Sequence, residues 1–104
     1  MSSFDNVKIT KAVNSYFDGK VTSRTIEFAD GSLKTLGVML PGEYDFGTAD
    51  PELMEIYSGE LEIKLPNSSQ WQFIKGGESF NVEGNAKFQV RVQSITDYCC
   101  SFIK

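Results

Sequence analysis

Apolar and polar side chains alternate at every second position in two stretches of the chain, residues 60–65 and residues 88–92. In the first stretch Leu61, Ile63 and Leu65 share one face, and charged residues occupy the other. Successive side chains of a β-strand point to opposite faces of a sheet. A period of two therefore predicts two strands that are buried on one side only.

Turn-forming residues separate these stretches from their neighbours. Residues 66–69 (Pro-Asn-Ser-Ser) predict a turn, and Trp71 then restarts the alternation, so the two flanking segments are expected to pair as a hairpin. Asp30 and Gly31 suit the positive backbone angles of a tight hairpin turn between two further β-like segments.

Short strand-like segments separated by turn residues continue to the end of the chain, where residues 97–103 are predicted to form the last strand. The chain shows no sustained helical period after residue 20. Roughly seven or more short strands with turns between them are typical of an all-β barrel or sandwich.

The first residues do not share this pattern. Phe4, Val7 and Lys11 are spaced for a short amphipathic turn, but the segment is equally consistent with a loose arm. We therefore predict an N-terminal arm over residues 1–12 and one β-domain over residues 13–104. A chain of 104 residues is long enough for one hydrophobic core and too short for two.

Charge and hydropathy limit the classes of partner that this chain is expected to bind. Ten basic and fourteen acidic residues give a net charge of −4, and no cluster of Lys and Arg forms a stripe that would neutralise a run of phosphates. Nucleic acid is therefore not an expected partner. No apolar run approaches the roughly 20 residues of a membrane span, and the first residues do not resemble a signal peptide. We expect no membrane partner and a cytoplasmic location.

The two cysteines, Cys99 and Cys100, are adjacent in the chain. Neighbours on a strand point to opposite faces, so a bond between them is disfavoured and no disulfide framework is expected. The chain has no histidine to activate a nucleophilic thiol. We expect two buried thiols that pack as small apolar groups.

Glycine and acidic residues from Gly42 onward resemble the two motifs of a cupin, a small antiparallel barrel with a histidine-rich metal site. Glu52 and Gly59 have the spacing of the glutamate and glycine that end the first motif. The first-motif histidines fall, within a residue or two, on Phe46, Thr48 and Asp50, and the second-motif histidine is replaced by Phe88.

Several ordered blocks are similar to a more specific family, the bacterial pyrimidine/purine nucleoside phosphorylases, which are small cupin-type proteins. The resemblance covers nearly the whole chain, from about Asn14 to Phe102. One departure is Glu83 before Gly84, where the family has a proline. The blocks that carry the resemblance are residues 14–21, 37–48, 51–54, 58–59 and 80–82.

This resemblance implies a fold and an activity. The fold would be an all-β, single-domain, cupin-type antiparallel β-barrel of jelly-roll type that lacks the metal-binding histidines. The activity would be that of a broad-specificity glycosyltransferase, which converts purine and pyrimidine nucleosides and phosphate reversibly to free base and ribose 1-phosphate. The protein would be a homodimer, with inorganic phosphate as co-substrate and no cofactor.

Two residues are candidates for catalysis. Glu52 occupies the position of the cupin carboxylate that faces the barrel interior, and it would bind the ribose, stabilise an oxocarbenium-like sugar or donate a proton to the leaving base. Arg91 follows the second cupin-like motif and offers a guanidinium for phosphate. Its alternative role is that of an exposed partner of a surface acid.

The remaining candidates would bind substrate. Lys20 is a second choice for the anion, and the hydroxyls of Thr48 and Ser58 would add contacts. Aromatic side chains would enclose the base, although a small barrel also needs aromatics to fill its core. The full set is Lys20, Tyr44, Phe46, Thr48, Ser58, Phe80, Phe88 and Gln89.

No metal is expected. Zinc, iron and copper sites normally include histidine or several cysteines, and the carboxylates here show no octahedral arrangement. Two other functions remain open. One is a metal-free cupin that binds a small sugar or nucleotide-like ligand without catalysis, and the other is a structural dimer whose pocket is filled with phenylalanine.

Overall fold

The computed structural model describes residues 2–103, and it places them in β-strands and the turns between them. None of the described residues forms a helix with the length and apolar character needed to cross a membrane. The strands are β1 (Lys8–Ile9), β2 (Asn14–Tyr16), β3 (Val21–Glu27), β4 (Leu33–Met39), β5 (Gly42–Gly47), β6 (Glu52–Ser58), β7 (Glu60–Lys64), β8 (Gln72–Lys75), β9 (Ser79–Val82), β10 (Lys87–Val92) and β11 (Thr96–Phe102).

The strands form two antiparallel sheets. The large sheet has the order β1-β3-β4-β11-β6-β9, with β2 paired to β3, and the small sheet has the order β5-β10-β7-β8. Buried residues of both sheets form one hydrophobic core. This arrangement is a jelly-roll barrel, and it confirms the prediction of a single-domain, all-β, cupin-type fold.

The two stretches with the clearest alternation lie in the small sheet as β7 and β10. Leu61 and Ile63 of β7 are fully buried, and they lie opposite Val92 and Val90 of the antiparallel strand β10. The charged and polar residues between them face outward. Both strand predictions are therefore confirmed, because each strand buries only one face.

The hairpin between β3 and β4 is also confirmed, but its turn differs from the predicted type. Of the two turn residues, only Gly31 has a positive φ, of 85°. The Phe28 amide donates to the Ser32 carbonyl at 2.9 Å, so three residues form the loop. Such loops usually combine an ordinary turn with one left-handed residue. Asp30 instead accepts hydrogen bonds from the Ser32 amide and hydroxyl, which hold its pKa below the ordinary value.

Residues of the predicted N-terminal arm lie along the edge of the large sheet. Lys8 and Ile9 form β1, which pairs with the end of β3. The Phe4 ring packs edge-on against Phe28 at a centroid distance of 5.1 Å, and the Lys34 ammonium lies 5.4 Å from the Phe4 ring. The described part of this segment is therefore extended and has no helical turn.

The core is built from buried side chains of both sheets. Met39, Met54 and Ile56 come from the large sheet, and the β7 and β10 residues face them from the small sheet. Both thiols are buried as predicted: Cys99 is fully inaccessible, and Cys100 is 6% exposed. Cys100 belongs to the core between the sheets.

Candidate active site

A cavity of about 410 Å³ lies between the two sheets. Its walls come from β3, β4, β6 and β11 of the large sheet, from β5 and β10 of the small sheet, and from the turn after β2. Small-molecule sites in proteins usually measure roughly 300–1,000 Å³. The interior is therefore not filled completely by phenylalanine, and it has room for a small ligand.

Glu52 begins β6 and lines this cavity. Partial burial raises the pKa of its carboxyl above the ordinary value, and a hydrogen bond with the Cys100 thiol offsets part of that effect. The nearby negative charge of Asp50 raises the pKa further. Glu52 is thus a partly desolvated carboxylate that hydrogen-bonds with the buried Cys100 thiol.

Hydroxyl groups of the large sheet line the cavity beside Glu52. Ser23 and Thr35 are buried on neighbouring strands, and the Tyr98 hydroxyl hydrogen-bonds with Ser23. The Asn14 side-chain amide donates to the Ser23 hydroxyl at 3.3 Å and to the Thr25 hydroxyl at 3.1 Å. Burial raises the pKa of Tyr98 to about 12, partly offset by the bond with Ser23. These groups are neutral donors at physiological pH.

A β-bulge lies between β6 and β11 beside this cavity. Asp97 pairs with Ser58, but the next residue, Tyr98, pairs with Ile56, so the register between β11 and β6 shifts at this point. A bulge inserts an extra residue into one strand and changes the direction of the side chains beyond it. The extra residue, Tyr57, is on β6, so β11 keeps its alternation, and Tyr98, Cys100 and Phe102 line the same cavity.

Aromatic rings form the opposite wall. Phe46 of β5 and Phe88 of β10 both line the cavity, and their rings stack at a centroid distance of 5.5 Å with an interplanar angle of 30°. Phe80 packs edge-on against Phe88 from behind, at 6.2 Å. Tyr44 is buried beside Phe46, and its hydroxyl donates to the Leu40 carbonyl at 2.6 Å. Phe46 and Phe88 therefore face the ligand space, whereas Phe80 and Tyr44 support them.

Arg91 does not line the cavity. It lies on the outer face of β10, where its Nε is 3.5 Å from the Glu43 carboxylate and its guanidinium stacks 3.7 Å from the Trp71 ring centroid. Gln89 shares this outward face. The expectation that Arg91 and Gln89 point into the pocket does not fit these positions, because the alternation that buries Phe88 turns both residues outward.

Three other predicted contacts also lie away from the cavity walls. Lys20 is exposed in the turn between β2 and β3, and Ser58 is exposed at the end of β6. The Thr48 hydroxyl is already engaged, because it donates to the Glu83 carbonyl at 2.7 Å and accepts from the Ala86 amide at 3.1 Å. Thr48 thereby joins two loops at one end of the barrel.

Sequence reasoning missed the hydroxyl groups of the large sheet. The sequence signal was present in β3, where Ser23 and Thr25 occupy the same alternate positions as the buried Val21. A polar residue on the buried face of a strand needs a partner or a ligand. Tyr98 and Cys100 carried a similar signal, because they precede Phe102 at the same spacing of two.

The described residues that line the cavity include no lysine and no arginine. Residues 2–103 also contain no group of three His, Cys, Asp or Glu side chains placed to hold a metal ion. An adjoining groove of about 470 Å³, at the open end of the small sheet, shares Phe46 and Phe88 with the cavity and does contain Lys64 and Lys87. We take the cavity between the sheets as the candidate site, because there a partly buried carboxylate faces hydroxyls and aromatic rings.

Comparison with known proteins identifies the family. The family model of pyrimidine/purine nucleoside phosphorylase matches residues 11–102. A protein of that name from Sulfurovum sp. (strain NBC37-1) is 65% identical over 103 residues, which cover 99% of this chain and 100% of the relative. Another of that name, from Hydrogenovibrio crunogenus, is 55% identical over 99% of each chain.

A solved structure agrees with the fold. The crystal structure of a protein of unknown function from Acinetobacter sp. ADP1 superimposes with a TM-score of 0.94 and is 41% identical, covering 97% of this chain and 98% of that one. The similarity thus extends over the strands that build the cavity as well as over the sequence blocks. The chain belongs to the pyrimidine/purine nucleoside phosphorylase family.

Proposed function

We propose that this chain is a glycosyltransferase that cleaves purine and pyrimidine nucleosides with phosphate to give free base and ribose 1-phosphate. The family supports the reaction class. The observation that carries the proposal in the structure is the cavity, in which the half-buried Glu52 carboxylate faces hydroxyls on one side and stacked rings on the other. The carboxylate would bind the sugar, the hydroxyls would bind the phosphate anion, and the rings would contact the base.

The bond between C1′ of the ribose and the base nitrogen breaks in this reaction, and its electron pair leaves with the base. The sugar then carries positive charge in an oxocarbenium-like transition state. Of the two described carboxylates in the cavity wall, Glu52 stabilises this charge rather than the exposed Asp45, since a carboxylate in a partly desolvated site interacts more strongly than it would in water. The same oxygens accept hydrogen bonds from the ribose hydroxyls.

Phosphate supplies the nucleophile. One of its oxygens forms the new bond to C1′, and a proton carried by the phosphate passes to the leaving base nitrogen, so that atoms and charges balance. With no described lysine or arginine in the cavity wall, the hydroxyls of Ser23, Thr35 and Tyr98 are the donors proposed for the anion. Asn14 donates to the Ser23 hydroxyl, so the Ser23 proton, which is shared with Tyr98 in this structure, would turn to a bound phosphate.

The base would lie against Phe46 and Phe88. Flat aromatic contact stabilises any nucleobase, because every base has a π-face, whereas hydrogen-bond readout would select one base. The buried Phe80 behind them keeps the wall rigid. This wall supports a broad specificity for purines and pyrimidines. The proposed reaction uses no metal or organic cofactor, and the homodimer remains a proposal that rests on the family resemblance.

The proposal is tested with inosine and uridine, each incubated with the purified protein in the presence and absence of phosphate, and with free base and ribose 1-phosphate measured by chromatography. Release of base only with phosphate is expected. Glu52→Gln should lower kcat/KM by a factor on the order of 100, whereas Glu43→Gln, on the outer face, should change it less than about twofold. Thermal stabilisation by nucleoside without release of base would favour a non-catalytic binding protein instead.

A second experiment tests which residues bind phosphate. Ser23→Ala should raise the KM for phosphate by about tenfold, since one lost hydrogen bond to a charged group costs about 1.5–3 kcal/mol, and it should leave the KM for nucleoside nearly unchanged. An unchanged KM for phosphate would place the anion elsewhere. Lys64→Ala then tests the groove at the open end of the small sheet as the alternative location.

A further inference from the structure

The turn between β2 and β3 has an unusual backbone. Phe17 and Asp18 have φ values of 53° and 56°, and Gly19 follows with 83°. Two consecutive non-glycine residues in the left-handed region are uncommon, particularly when one is a bulky aromatic residue. Such conformations persist only where the surrounding structure supports them, and they are enriched at ligand sites and at segments that move.

The Phe17 side chain bridges the two sheets at the cavity. It belongs to a turn of the large sheet, yet its ring lies 4.9 Å from the Tyr44 ring and 5.6 Å from the Phe46 ring, both on β5 of the small sheet. Phe17 and the neighbouring Tyr16 also line the cavity. Phe17 remains 42% exposed, so the ring separates the cavity from solvent rather than filling the core.

The strand that carries this turn is held on one side only. β2 has three residues and pairs with β3 alone, and its base is fixed by the Asn14 amide, which donates to Ser23 and Thr25. At the tip, the Gly19 amide donates to the Tyr16 carbonyl at 3.2 Å, and the Lys20 amide donates to the Phe17 carbonyl at 3.2 Å. The turn is therefore held together by its own hydrogen bonds, and β2 is anchored at Asn14. A turn with these two properties can move as a short flap.

We propose that Phe17 closes over the nucleobase as the outer half of an aromatic clamp. The base enters by displacing the Phe17 ring from Phe46, and it is then enclosed between these two rings, with the β2–β3 turn as the moving element. This inference rests on the proposed function, because it takes a nucleoside as the ligand of the cavity. It makes Phe17 a substrate-contacting residue that governs affinity for the base and leaves phosphate binding to the large sheet.

Kinetics of Phe17→Ala test the clamp. The substitution should raise the KM for inosine and for uridine by about tenfold, in line with base stacking, while the KM for phosphate changes less than twofold. Phe17→Tyr should restore the wild-type KM for nucleoside. Phe73→Ala is the matched control, because Phe73 is 49% exposed on the outer face of the small sheet. A KM for nucleoside within twofold of wild type in Phe17→Ala would overturn the proposal.

A binding measurement separates the clamp from turnover. Trp71 is the only tryptophan of the chain, so combining Phe17→Trp with Trp71→Phe gives a protein with one indole at the turn. Saturable quenching of its fluorescence by inosine, without phosphate, is expected from stacking on the base. Quenching in a protein that releases no base would uphold the clamp and refute the proposed reaction. Absence of quenching in a variant that keeps its circular dichroism spectrum would overturn the clamp.

Discussion

The Tyr98 ring lies directly over Gly37 on the neighbouring strand. A Cβ atom built on Gly37 would lie 2.9 Å from Cζ of Tyr98 and 2.8 Å from the Ser23 Cβ, and it would also collide with the Thr22 carbonyl oxygen. Real Cβ atoms essentially never approach other atoms this closely. Gly37 therefore gives the Tyr98 ring the space to cross β4 and to reach the Ser23 hydroxyl.

The substitution Gly37→Ala should destabilise the protein and impair the cavity. The added methyl group would push against a backbone carbonyl as well as a ring, so we expect a loss of at least about 2 kcal/mol in the free energy of unfolding and a fall in Tm of about 10 °C. Urea denaturation and thermal unfolding measure both quantities.

Gly47→Ala is the matched control for stability. Gly47 also lies on a strand, but its added Cβ would approach nothing closer than the Ala86 carbonyl oxygen at 3.9 Å. The free energy of unfolding of that variant should change by less than about 0.5 kcal/mol. Equal losses in both variants would contradict the role assigned to Gly37.

The substitution Glu52→Gln should separate activity from stability. Burial raises the pKa of Glu52 in the folded protein above its unfolded value, so its contribution to stability is present at low pH and is lost as the pH rises through the folded pKa. At neutral pH, Gln avoids the cost of a partly buried charge. The variant should therefore be at least as stable as wild type at pH 7 although its kcat/KM falls on the order of 100-fold.

The pH profile provides the second measurement for Glu52. If the carboxylate is the active form, kcat/KM of the wild type should decrease as the pH falls through the raised pKa of Glu52, and this acidic decline should be missing in Glu52→Gln. The titration of phosphate itself affects both proteins equally and cancels in the comparison. A variant that loses stability at pH 7, or retains the acidic decline, would remove Glu52 from the proposed mechanism.

The strands were predictable where one face is buried and the other is solvated. The alternation of β7 and β10 is a local property of the sequence, and it correctly placed Leu61, Ile63 and Phe88 inside. The same rule places Arg91 outside, since it is an odd position on the strand whose even positions are buried. The prediction that Arg91 lies in the pocket relied on its position after the cupin-like motif. The alternation of β10 pointed to the opposite face.

The site was less predictable because it depends on contacts between distant strands. Tyr98 crosses β4 to reach Ser23 because Gly37, which is 61 positions earlier in the chain, has no side chain. The spacing of two places Tyr98 on the same face as Phe102, but the space that Gly37 leaves for its ring has no local period that a single sequence reveals. The inward position of Glu52 was predictable, because it follows from the resemblance to the cupin motif and does not depend on the alternation.

Arg91→Ala should leave catalysis nearly intact. The Arg91 side chain is 44% exposed and its partner Glu43 is 77% exposed, so their ion pair contributes little, and the main loss is the stacking on Trp71. We expect a decrease of about 0.5–1 kcal/mol in the free energy of unfolding and a change in kcat/KM below about twofold. A drop of 100-fold or more in kcat/KM at unchanged stability would show that the catalytic role predicted from the sequence is correct and that the cavity assignment is wrong.

The thiols of Cys99 and Cys100 should be unreactive in the folded protein. Burial raises the pKa of both groups, and the nearby Glu52 raises that of Cys100 further, so neither forms the thiolate that reacts. Ellman's reagent at pH 8 should label both residues about 100-fold more slowly than free cysteine, and two equivalents should react at once in denaturing urea. The variants Cys99→Ala and Cys100→Ala assign each signal. Rapid labelling of Cys100 in the native protein would mean that this thiol is far more accessible to solvent than its exposure of 6% implies.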